Sequence, residues 1–113
     1  MPELIECVPN FSEGRRPEVV ESIARSIAAV PGVRILDREM DANHNRCVVT
    51  FVGGRTAVAE GAMAGAREAV RLIDMRQHHG EHPRIGALDV LPFVPVAGVT
   101  MEDCVQIARA VGQ

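Results

Sequence analysis

The sequence predicts an α+β domain in which one sheet carries helices on one of its faces. Two observations predict this. Strand-like and helix-like segments follow one another in the order β-α-β-β-α-β plus a C-terminal helix. The 113 residues, 47% hydrophobic and 24% charged, suit one compact core rather than a disordered or fibrous chain.

Residues 4–8, Leu-Ile-Glu-Cys-Val, read as the first strand, and 9–14 read as the loop that leaves it. A helix opens near Pro17, whose ring presets the first helical turn. Val19, Val20, Ile23, Ala24, Ile27 and Ala28 recur at helical spacing until Pro31 and Gly32 stop it. Residues 33–37 and 47–52 are two further strands, joined as a hairpin by the polar stretch 38–46 and ended by Gly53 and Gly54.

A long amphipathic helix is expected over residues 56–73, with Val58, Ala62, Ala66, Ala69, Val70 and Ile73 on or near one face. Gly61 and Gly65 lie four apart in it and permit close backbone approach to the sheet. Residues 74–87 are irregular. Residues 89–96 are apolar and β-like, but Pro92 and Pro95 each remove a ladder donor, which predicts an edge strand or one that leaves the sheet partway. Thr100 and Asp103 carry the logic of a capping box and open a last helix over Cys104, Val105, Ile107, Ala108 and Val111. The order matches the ferredoxin-like, split βαβ plan, with residues 1–113 as a single domain.

Charge narrows the partners. The net charge is −3 and no basic stripe is interleaved with aromatics, so nucleic acid is not expected. Every fixed cation is Arg, which excludes a Schiff-base lysine; genome composition accounts for most of them, so only individually placed arginines count. No apolar run has membrane-spanning length and the start lacks a secretory pattern, so a cytoplasmic protein is expected. Cys7, Cys47 and Cys104 sit in apolar runs and read as reduced, buried side chains.

Three of the four histidines fall in the segment 78–84, His-His-Gly-Glu-His-Pro-Arg. Imidazole exchanges protons near neutral pH, and Glu81 is an adjacent carboxylate able to orient it. His78, Glu81 and His82 formally match an inverted zinc-protease motif. That motif needs a helix, which Gly80 weakens and Pro83 disfavours at His82, so no metal is expected. Solvated surface histidines are the remaining reading. A second polar cluster, 41–46, reads either as a turn or as a set of donors, Asn45 and Arg46, for a ligand carboxylate. A third, Asn10 to Gly14, reads either as helix capping or as an anion site at a helix start.

Taken together, Glu6-Cys-Val-Pro-Asn-Phe-Ser-Glu-Gly-Arg15, His44-Asn-Arg46 with Thr50-Phe-Val-Gly53, Leu72-Ile-Asp-Met75 and Gly80-Glu-His-Pro-Arg-Ile-Gly-Ala-Leu-Asp-Val90 closely resemble the N-terminal subdomain of the glutamate formimidoyltransferase family. The resemblance spans essentially the whole chain, in a shortened form of that subdomain. It implies transfer of a formimidoyl group from N-formimidoyl-L-glutamate to N5 of tetrahydrofolate, the co-substrate, in histidine degradation. It also implies that His82 is the catalytic acid/base, with Glu81 as its neighbour.

From charge complementarity, Arg84 and Arg46 are expected to engage substrate carboxylates, with Asn45 and Asn10 as further polar contacts. Asp37, Glu39 or Asp41 would face the cationic amidine. Family members are longer and bind folate in a groove between two subdomains, so a chain carrying the C-terminal subdomain is an expected partner. Self-association is expected where sheet surface or edge is left open. The competing expectation is a non-catalytic ligand-binding or assembly module on the same fold.

Overall fold

The computed structural model describes residues 3–12, 16–72 and 88–111. They form β1 (Leu4–Cys7), β2 (Asn10–Phe11), α1 (Pro17–Ala28), β3 (Arg34–Asp41), β4 (Arg46–Gly53), α2 (Arg55–Leu72), β5 (Leu88–Val90), β6 (Phe93–Ala97) and α3 (Met101–Val111). All six strands join one antiparallel sheet.

The six strands fall on four lines. β1 and β2 both pair β4 in one continuous register, Cys7 opposite Phe51 and Asn10 opposite Val48, so they are two parts of a single line broken at Val8 and Pro9. β5 and β6 likewise pair β2 and β1. The sheet therefore reads β3, β4, then β1 with β2, then β6 with β5. Numbered by line in chain order, that is 2-3-1-4, the arrangement expected of a split βαβ domain.

Helices cover one face. Ile5, Cys7, Phe11, Val49 and Phe51 are fully buried and join Val20, Ile23 and Ile27 of α1, Val58 of α2, and Cys104 and Ile107 of α3 in one core cluster. The strand period of two sends the alternate residues to the opposite side. The two α2 glycines set how near this helix comes. A Cβ on Gly61 would lie 2.9 Å from the Phe51 ring, and one on Gly65 would lie 2.9 Å from Ile27 of α1. None of the three cysteines forms a disulfide and all are buried, and burial pushes the Cys7 thiol pKa well above its usual range.

Local chemistry fixes the helix starts. Pro17 stands in the first turn of α1. Thr100 Oγ1 accepts from the Asp103 amide at 3.1 Å and Asp103 Oδ2 accepts from the Thr100 amide at 2.9 Å, the reciprocal pair expected for α3. At α2, Glu3 reaches from ahead of β1 to accept the Arg55 backbone N–H at 3.3 Å and its guanidinium Nε at 2.9 Å. Arg55 also lies 3.5 Å from Asp103, so one guanidinium joins the starts of β1, α2 and α3. At the far end, Ser22 of α1 donates to Glu68 of α2 at 2.5 Å, and Arg71 holds the same carboxylate through Nε and Nη2. No described helix is long and apolar enough to cross a membrane.

Two sequence expectations are corrected. Asn10 and Phe11 are strand, not loop: after the Pro9 interruption the line resumes because Phe11 has a fully buried place beneath α2. The hairpin connection is only 42–45, since β3 continues to Asp41 and β4 begins at Arg46. Its polar composition hid strand structure because β3 is an outer strand with exposed side chains. The fourth line is also outer and breaks at 91–92, as the prolines predict.

Candidate functional site

Residues paired directly across a sheet point to the same side. Phe11, Cys47, Val49 and Phe51 lie under the helices. Register then assigns Asp37 with Thr50, Glu39 with Val48 and Asn10, and Asp41 with Arg46 to the open face. Five of the sequence-predicted residues, Asn10, Asp37, Glu39, Asp41 and Arg46, thus share one surface. Strand spacing puts the backbones of Asn10 and Glu39 about 10 Å apart across β4.

The hairpin turn settles how Arg46 is presented. Asp41 Oδ1 accepts the backbone N–H groups of Asn43 at 3.0 Å and His44 at 3.3 Å, an Asx-type turn. Its other oxygen lies 2.5 Å from His44 Nδ1, and these contacts hold the Asp41 carboxyl below its ordinary pKa, the His44 side chain contributing most. Asn45 closes the turn at φ +50°, a left-handed conformation that asparagine tolerates better than most residues. Asn45 therefore stands in the turn itself, while Arg46 follows as the first residue of β4.

Among the described residues, Arg46, Asp37 and Glu39 make no side-chain hydrogen bond or ion pair, and all three are exposed. A recess of about 160 Å³ is lined by Glu39, Met40, Asp41, Arg46 and Val48. It juxtaposes one guanidinium with two carboxylates, a set suited to a small ligand bearing both signs of charge. Asn10 sits beside it on β2, its amide donating to the Val8 carbonyl at 3.1 Å.

Glu81, His82 and Arg84, with the possible metal motif from His78, lie outside the described residues. The described neighbours of that segment are Leu72 and Leu88. Arg16 donates to the Leu72 carbonyl at 3.4 Å, and Leu88 pairs with Phe11, which itself pairs with Cys47 beside Arg46. Both neighbours thus stand at the end of the sheet that carries the recess.

One open-face residue escaped the sequence reading. Glu6 lies on β1 directly between Val52 of β4 and Val94 of β6. The available signal was its being the lone charge in an apolar strand; identifying its face required the register.

Fold and surface together define an α+β half-sandwich, in which the sheet face that no described helix covers carries charged and amide side chains at one end. Sequence comparison gives that class its family. The model of the formiminotransferase domain, N-terminal subdomain, matches residues 4–113, and the chain belongs to that family. Over 113 residues it is 57% identical to formimidoyltransferase-cyclodeaminase of Sus scrofa, covering 100% of this chain and 21% of that protein. It is 54% identical over 110 residues to glutamate formimidoyltransferase of Thermoplasma acidophilum, covering 97% of this chain and 36% of the relative. The corresponding enzyme of Streptococcus pyogenes is 44% identical, with 100% of this chain and 38% of the relative covered. The chain thus spans between about a fifth and two fifths of these relatives.

Proposed function

We propose that the chain supplies the acid/base residue and one wall of the substrate groove of a glutamate formimidoyltransferase. The observation that carries this reading is the recess at Arg46, on the sheet face that no described helix covers, in a chain whose family match runs from residue 4 to residue 113. Tetrahydrofolate, as co-substrate, supplies the nucleophilic N5.

In this reading Arg46, with Arg84, holds carboxylates of formimidoylglutamate, and Asn10, Asn45 and Glu81 add polar contacts. Asp37 and Glu39 face the cationic amidine, and Asp41 contributes chiefly by holding the turn. His82 accepts the N5 proton as the new C–N bond forms and returns it to the glutamate nitrogen as the old C–N bond breaks. One histidine thereby balances both proton transfers. The partner is a segment or chain carrying the second subdomain, which closes the groove over the open face; self-association is the other way to cover that face.

The test combines the chain, with and without a second subdomain from a relative, with formimidoylglutamate and tetrahydrofolate while 5-formimidoyltetrahydrofolate is measured. Product is expected when both subdomains are present, with His82→Ala reducing the rate by at least about 100-fold at unchanged stability. No product in either mixture removes the transferase reading and leaves the non-catalytic module. Near-normal turnover of the variant removes His82 from the mechanism.

A further inference from the structure

The open face has a second half, chemically unlike the recess at Arg46. Along β1 and β6 it is apolar. Glu6 is flanked in register by Val52 and Val94, with Val8 two residues further on the same side. Val96, two residues beyond Val94, extends the surface; these two β6 valines are 42% and 54% exposed.

Within this ledge Glu6 is half-buried and its side chain makes no hydrogen bond or ion pair among the described residues. A carboxylate partly withdrawn from water among valines loses hydration and gains nothing in return. Asp37 and Glu39 differ in standing on an exposed outer strand, where water solvates them and an ion pair is worth little.

We infer that Glu6 is a specificity-determining residue for the pterin ring of the folate co-substrate, accepting the paired N–H groups of its 2-amino-4-oxopyrimidine edge while the flanking valines carry the flat ring. The assignment rests on the transferase reading above for the identity of the ring. Two N–H donors side by side match a carboxylate in bidentate fashion. Ligand sites typically combine apolar walls with a few placed polar groups, which describes this ledge. The donor's amidinium also presents paired N–H groups. However, its attached glutamate carboxylates require a cation, and Arg46 lies beyond Asn10, itself about 13 Å along the sheet from Glu6.

The probes are pterin and lumazine, which carry an amino and an oxo group respectively at C2, titrated by fluorescence against the chain and its Glu6→Gln variant. Pterin binding should weaken about tenfold in the variant, with lumazine binding unchanged. Glu6→Asp, which keeps the charge, should retain a preference for pterin. Unchanged pterin binding, or equal loss of both probes, overturns the proposal. So does a loss confined to formimidoylglutamate in a parallel titration, which would assign Glu6 to the donor. Product formation by the wild type alongside an unaltered pterin preference in Glu6→Gln removes Glu6 alone, whereas absence of product from the complete enzyme removes the transferase reading itself.

Discussion

The two faces of this sheet are built from residues one position apart in the same strands, yet they obey different physics. On the covered face Ile5, Cys7, Val49 and Phe51 are fully buried against three helices. On the other, Glu6, Val48, Thr50 and Val52 alternate with them and meet no described helix. A change on the first should be read as stability, and a change on the second as binding.

The largest expected effect lies on the covered face. Phe51→Ala should cost about 3–5 kcal/mol, seen as a lower urea midpoint; a loss below about 1 kcal/mol would show that the core is not packed as described. Gly65→Ala should follow with a net loss of about 1 kcal/mol. The new Cβ crowds Ile27, at about 1–3 kcal/mol for overpacking, while alanine recovers about 1 kcal/mol of helix propensity. A gain in stability would show that α1 and α2 separate more easily than their contact suggests.

A pH effect comes next, at the helix layer's outer end. Arg71 and then Ser22 hold the Glu68 carboxyl down to about 2 from its ordinary 4.5. Because the folded value is depressed, the contribution is complete above about 4.5 and is lost as pH falls toward 2. Glu68→Gln should therefore be less stable than wild type near neutrality, with the gap narrowing across that window. A constant gap would reject the assignment. The smallest effect belongs to the open face: Asp37→Ala should stay within about 0.5 kcal/mol of wild type while weakening donor binding. A larger stability loss would mean that this face is not merely a binding surface.

Much of the fold was legible because hydrophobic period and local stereochemistry agree. The helical spacing from Val19 to Ala28, the capping pair at Thr100 and Asp103, and the prolines of the outer strand each signal their own structure without reference to distant residues. Asn10 and Phe11 were misread because Pro9 and Asn10 look like a turn, and only the buried Phe11 reveals why the strand resumes. Arg38 to Asp41 were misread because an outer strand bathed in water needs no apolar residues. The candidate site was legible in part. His82, Glu81 and Arg84 stand out by residue type and motif, and lie outside the described residues. That Asn10, Glu39 and Arg46 share a surface follows from strand register, a long-range property that no local pattern encodes. The face of Glu6, a lone charge in an apolar strand, was hidden for the same reason.

The placement of β1 also governs when the chain can fold. Leu4–Cys7 is synthesised before every other strand of the sheet, yet its partners are β4 and β6, and Phe93 follows Leu4 by about 90 residues. At ~5–20 residues per second that interval is roughly 5–20 seconds, whereas a hairpin such as β3 with β4 closes in about 1–10 μs. The strand at the centre of the finished sheet is thus made first and flanked last, and the ribosome, rather than the chain's own search, sets the pace at which the sheet closes.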